Sequence, residues 1–300
     1  MITNKIMLSV VSVLFSINIV AENCTDKIDL VSLAELRNAN FVIDHKQKRN
    51  RIAIDILSCI GHPEPTIRDN TVYQAYSTWL RGDQLEPKII IQLYDYITAI
   101  LVSQNQDEDN YTQPFAALIY SEVLRVDRIS PYLNAKQRQK AVDTVINFVS
   151  SIKDYRGFDD NQGWRHSVAH SADIILQLSL NKNITKSQLI ALAEALIKQV
   201  NPKAIHFYTY GEPNRLAMAF TYLMNREELS LNMVQQLLND ITDPMPFKDW
   251  QSVYTSNSGL SKIHNVRSFI YSLHALISES QNKKLKQIKP LVTEAIKKLG

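Results

Sequence analysis

The sequence predicts an all-α fold, an irregular, solenoid-like stack of helical hairpins of the HEAT type with about twelve helices, and three observations carry that reading. From residue 30 onward apolar residues recur at i, i+3, i+4 and i+7, the period of one helix face, and strand-like alternation does not persist. Only 7 of the 300 residues are glycine, well below the roughly 7% of an average chain, which speaks against turn-rich sandwiches and glycine-rich nucleotide-binding folds. The helical segments pair across short polar connections, and the pairs recur about every 35–50 residues without a strict repeat. With 45% hydrophobic and 21% charged residues the composition is that of a foldable globular chain.

In chain order, residues 1–21 read as a signal peptide. Lys5 supplies the charged start, an apolar run extends from Ile6 to Ala21, and Ala21 is a small residue for cleavage before Glu22. The run is shorter than the about 20 apolar residues that span a bilayer comfortably, and an uncleaved anchor is the alternative. Export to the periplasm or the exterior follows, with residues 22–300 as a single all-α, helical-repeat-like domain that leaves the membrane after cleavage. Cys24 and Cys59, the chain's 2 cysteines, read as one disulfide in an oxidising compartment, with two unrelated thiols as the alternative.

The expected helices span 30–39, 48–60, 66–81, 86–104, 113–127, 135–153, 163–181, 186–200, 212–225, 230–242, 262–279 and 283–299. Ser32-Leu-Ala-Glu35, Asn134-Ala-Lys-Gln137 and Thr185-Lys-Ser-Gln188 fit the capping box, in which a side-chain oxygen and a Glu or Gln three residues later satisfy amides of the first turn. Pro63-Glu64-Pro65 ends one helix before Thr66, and Pro213 suits a first turn. The least helical stretches are 154–163, 201–211 and 243–261.

One polar constellation stands out, Gly163-Trp164-Arg165-His166-Ser167-Val168-Ala169-His170-Ser171-Ala172-Asp173. On a helix, His166, His170, Asp173 and Gln177 fall within about 60° of one another, opposite Trp164, Val168, Ile175 and Leu178. Three uses of that outward stripe stay open: a polar pocket, histidines bonded structurally to neighbouring helix ends, and a zinc site of His166, His170 and Asp173. Glu212 and Arg215 add polar groups from the next hairpin. The reading is a protein that binds a peptide, a glycan or a protein partner in a groove near the stripe. The alternative is a hydrolase in which His166 or His170 is the general base and Asp173 orients it, with or without a metal-bound water. The chain carries 33 Lys and Arg against 30 Asp and Glu, too small an excess to attract nucleic acid. G-x-S-x-G, phosphate-binding glycine loops, C-x-x-C and EF-hand loops are absent from the sequence.

Taken in order, Ile67-Arg68-Asp69, Tyr73-x-x-Tyr76-x-x-Trp79, Arg156-Gly157, the 163–173 segment and Tyr210-Gly211-Glu212-x-x-Arg215-Leu216-Ala217 resemble the bacterial family known as domain of unknown function 2785. The resemblance spans roughly residues 55–280. It implies an all-helical fold and no established activity, and it places Arg68, Asp69, Trp164, His166, His170, Asp173, Glu212 and Arg215 in the family's recurrent motifs.

Overall fold

The computed structural model describes residues 24–103 and 109–300, so the leader read at residues 1–21 lies outside the described residues. Twelve helices run through them: α1 (Leu30–Asn38), α2 (Lys46–Asp55), α3 (65–81), α4 (Pro87–Val102), α5 (Thr112–Ile129), α6 (Ala135–Ser151), α7 (Ser167–Leu180), α8 (Lys186–Val200), α9 (Glu212–Met224), α10 (Leu231–Ile241), α11 (Asn257–Ser278) and α12 (Lys283–Lys298). Helix α3 is continuous but changes pitch, from Pro65–Ile67 through a π-helical stretch, Arg68–Tyr73, to Gln74–Arg81. The all-α fold class is therefore as the periodicity predicts.

The helices form two layers. In one, α1 packs on the π-helical part of α3, and α3, α5, α7, α9 and α11 follow one another. In the other, α2, α4, α6, α8, α10 and α12 do the same, while successive pairs such as α4–α5, α8–α9 and α11–α12 tie the layers together. Helices two apart in such a stack run in the same direction, so the N-terminal ends of α3, α5, α7 and α9 lie on one side. The core is continuous between the layers, and its buried aromatics keep their polar ends bonded: Tyr76 donates to the Ala53 carbonyl at 2.7 Å and Trp79 to that of Phe41 at 2.8 Å.

Local chemistry explains most boundaries. Asn134 with Gln137 and Thr185 with Gln188 form the expected capping boxes. At α1 the cap is instead Asp29, whose carboxylate accepts from the Ser32 backbone at 2.8 Å. Ser256 caps α11 and starts it five residues earlier than apolar spacing alone suggests. The disulfide Cys24–Cys59 is present and closes a separation of 35 residues. Loop-closure entropy over that length is worth about 3–4 kcal/mol. Among the described residues no helix is long and apolar enough to cross a membrane.

The expected helix 163–181 begins only at Ser167, because the residues before it form a small antiparallel hairpin, β1 (Phe158–Asp159) with β2 (Gly163–Trp164), in the register Phe158 to Trp164 and Asp159 to Gly163. His166 then turns the chain into α7 with a left-handed backbone, φ 60°. Helix α7 lies between α5 and α9, and Ala169 and Ala172 let both approach closely. Val168 is buried in this packing, whereas Gln177 accepts from Arg128 at 3.0 Å. Val168→Asp should therefore cost about 3 kcal/mol or more by burying an unpaired charge, while Gln177→Asp, which keeps an acceptor beside Arg128, should stay within about 1 kcal/mol. Urea unfolding of the two variants measures both, and equal losses would mean that α7 is rotated otherwise.

Candidate functional site

A cleft of about 730 Å³ opens between the hairpin and the N-terminal halves of α3, α5, α7 and α9. A second one, about 490 Å³ between α1 and α2, contains none of the motif residues. The first cleft takes its shape from Arg68, in the π-helical stretch of α3, whose side chain is fully buried. Its Nε donates to Asp69 at 2.9 Å, Nη1 to the carbonyls of His62 and Pro63 at 3.0 Å each, and Nη2 to that of Gln162 at 2.8 Å. The guanidinium also lies over the rings of Tyr111 and Phe115, at 4.0 and 4.7 Å from their centroids. One side chain thereby joins α3, the start of α5 and the hairpin.

The hairpin is fixed from several sides. Asp159 accepts from the backbone of Asn161 and Gln162, at 2.9 Å each, to close its turn. Arg165 is buried, donates to the Asp109 carbonyl and the Gln162 amide, and covers the Tyr111 ring at 4.4 Å. Gly163 has φ 74°, and a Cβ there would crowd Pro65, Arg68 and Asp69 at 3.2–3.4 Å, so the strand lies directly against α3. Gly157 is equally constrained, since a Cβ would overlap the Tyr210 ring.

These contacts assemble a contiguous aromatic surface. Phe158 and Trp164 lie 5.0 Å apart, Trp164 meets Tyr210 edge-on at 6.0 Å, and His166 stacks on Trp164 at 4.7 Å. Phe158, Trp164 and Tyr210 are 42%, 37% and 42% exposed. Asn70, Gln74, Asp160 and Asn161 border them in the cleft, and their side chains make no hydrogen bond among the described residues.

The histidines are placed differently from the outward stripe of the sequence reading. His170 is only 6% exposed, its Nδ1 lies 2.9 Å from the Pro114 carbonyl, and Phe115 packs edge-on against its ring. Neighbouring helices cover α7 on both sides, so a His at this position is buried and bonded as well as touching the cleft. Burial, the neighbouring His166 imidazole and the charges of Arg215 and Arg68 hold it down at about 3, against the Pro114 bond. His166 precedes the helix, and burial followed by the charge of Arg215 lowers it to about 4. Its Nε2 lies 3.6 Å from Glu212 Oε1, and neither atom has a hydrogen bond among the described residues. Burial also raises the Glu212 carboxyl, so both groups favour their uncharged forms. The second Glu212 oxygen accepts from the Tyr210 backbone at 2.9 Å.

Asp173 orients neither histidine. Its two oxygens pair with Arg215, whose Nε donates to Oδ1 at 2.9 Å. Burial raises the Asp173 carboxyl while this bond to Arg215 lowers it. Asp69 is raised by burial against the pull of Arg68. Gln177 is likewise committed, to Arg128. The zinc alternative is corrected accordingly: among the described residues no group of three or more His, Cys, Asp and Glu is placed to hold a metal ion, and the carboxylate that a His166-His170-Asp173 site needs is held by Arg215.

Of the residues singled out in the sequence, Asp69, Trp164, His166, His170 and Arg215 line the cleft, and Asp173 and Glu212 stand behind it against Arg215 and His166. Sequence reasoning missed Phe158, Tyr210 and Asn161 as one surface. Asp159-Asp160-Asn161-Gln162-Gly163 was the available signal, a turn-forming run between aromatic residues. Residues 99–275 match the model of the family described as Protein of unknown function (DUF2785). That span holds the hairpin, α7 and α9 motifs and begins after the 67–79 motif. No curated protein and no solved structure matches the chain.

Two outcomes follow from the geometry. Arg68→Met should destabilise the protein by about 3–5 kcal/mol, because Asp69 and three carbonyls lose their donor; denaturant unfolding with a loss below about 1 kcal/mol would refute it. Both cleft histidines are held below their ordinary 6.5, so the unfolded chain binds more protons between about pH 6.5 and 4, and their contribution to stability falls as pH falls through that window. Asp69, Asp173 and Glu212, raised in the fold, act oppositely, and a difference between variants removes their effect. His170→Gln keeps an amide donor for the Pro114 carbonyl and does not titrate, so its unfolding free energy should fall less steeply with pH, by up to about 1.4 kcal/mol per pH unit. Parallel slopes for variant and wild type would contradict this.

Proposed function

We propose that this chain, which belongs to the DUF2785 family of unknown function, is a binding protein whose ligand sits in the cleft between the hairpin and α3, α5, α7 and α9. The observation that carries the reading is the convergence there of half-exposed aromatic rings with polar side chains that make no hydrogen bond among the described residues. Core aromatics of this fold such as Tyr76 and Trp79 are buried, with their polar ends bonded. A wall with neither property, held in place by a buried arginine and two close glycine contacts, is what a preorganised site requires.

The hydrolase alternative lacks a comparable observation. A histidine held near pH 3 or 4 is a weak base at neutral pH, and the carboxylate meant to orient it is bonded to Arg215. Binding is also consistent with the charge pairs on the cleft wall, which fix side chains without leaving a reactive group exposed. On the leader read at residues 1–21 and the disulfide Cys24–Cys59, we place the protein outside the cytoplasm, in the periplasm or secreted.

Trp164→Ala and Asn161→Ala remove groups from the wall and little from the core. Both variants should melt within about 3 °C of the wild type. A compound that stabilises the wild type in a thermal-shift screen should do so less in each variant, since stabilisation follows affinity for the folded state. Equal shifts in wild type and both variants would place the ligand elsewhere and end this reading.

A further inference from the structure

We propose that the ligand is a neutral carbohydrate, an oligosaccharide laid across Phe158, Trp164 and Tyr210, an assignment that rests on the reading of the cleft as a binding site. The rings come first. Three large aromatic side chains, each about two-fifths exposed, sit side by side at 5.0 and 6.0 Å on a hairpin and on the entry to α9. They do not collapse inward, because His166 backs Trp164 and the Gly157 backbone lies against Tyr210. A pyranose ring presents C–H groups on its faces, whose slight positive charge meets the negative face of an aromatic ring.

The border of the rings matches the remaining surface of a sugar. Asn70, Gln74 and Asn161 carry amides, each with donors and an acceptor, and none is bonded within the described residues. Hydroxyl groups donate and accept at once, so such amides satisfy a hydroxyl-rich rim in either sense. The volume of about 730 Å³ is that of a small-molecule site.

Charge narrows the class. Of the charged residues on the wall, Arg215 is matched by Asp173 and Asp69 by Arg68, which leaves Asp160 at the exposed edge. A phosphorylated or sulfated ligand meets no uncommitted cation there, and burial keeps both imidazoles uncharged at neutral pH. An ammonium ligand meets Asp69 and Asp173 already held by guanidinium groups, and the one remaining carboxylate on the wall, Asp160, lies at the solvent-exposed edge away from a buried position. A ligand without charge, with apolar faces and a polar rim, loses least on entering.

Calorimetric titration of the purified protein tests this with neutral β-1,4- and α-1,4-linked gluco-oligosaccharides, xylo-, manno- and chito-oligosaccharides, and with choline, glucose 6-phosphate and an uncharged peptide alongside. At least one neutral oligosaccharide should bind saturably, and Trp164→Ala and Phe158→Ala should each weaken it by about tenfold with little change in melting temperature. Asn161→Ala should weaken it by less. Failure of every neutral oligosaccharide to bind overturns the proposal. Choline, the phosphate or the peptide bound in preference, with binding lost in Trp164→Ala, overturns the carbohydrate assignment and leaves the cleft reading standing. An oligosaccharide bound equally well by wild type, Trp164→Ala and Phe158→Ala overturns both.

Discussion

A single buried guanidinium holds the cleft in shape. Arg68 spends its donors on Asp69, on the backbone at residues 62 and 63 and on the hairpin at Gln162, while its faces meet Tyr111 and Phe115. An arginine buried in this way is costly to desolvate, and its bonds only offset that cost if every partner is in position. The requirement runs in both directions. Arg68 fixes the hairpin and the carbonyls before α3, and these in turn make its burial tolerable. The π-helical stretch that starts at Arg68 shifts the register of α3 and presents Asp69, Asn70 and Tyr73 to the cleft.

The same economy governs the charges beyond Arg68. Arg215 from α9 reaches Asp173 on α7, and Glu122 on α5 pairs with Arg81 at the end of α3. Each pair links neighbouring helices of one layer. Charge pairs that neutralise one another thus tie α3 to α5 and α7 to α9, while the aromatic rim of the cleft stays uncovered. Stability and recognition draw on different side chains, so cleft variants can separate them.

The helices were legible in the sequence because each one buries an apolar face, and the spacing of Ile89, Leu93 and Ile97 or of Leu189, Leu192 and Leu196 records that face directly. The hairpin was not, since strands of two residues are too short to show a period. It is held by Arg68 from 94 positions away, a contact that local spacing does not encode. The histidine stripe was found, but not its burial. A helical wheel separates polar from apolar positions without saying how many neighbours a helix has, and α7 has one on each side. His170 therefore enters the packing and finds the Pro114 carbonyl, and Asp173 finds Arg215 instead of a histidine. The motif residues nonetheless converge, because five of them come from the aligned starts of α3, α7 and α9 and from the hairpin beside them.

Two left-handed residues complete the arrangement. His166 turns the chain into α7 with φ 60°, and Gly211 turns it into α9 with φ 87°. Glycine makes the second turn at little cost, whereas a histidine in the first is strained unless its side chain is held. Trp164 stacks on the His166 ring, and Glu212 Oε1 lies 3.6 Å from its Nε2. Glu212 follows Gly211 directly, so the two helix entries meet at His166 on the cleft wall and Glu212 behind it. His166 is thus best understood as the support on which Trp164 rests. The exposed indole rests on an imidazole that packs in turn edge-on against the buried His170 ring.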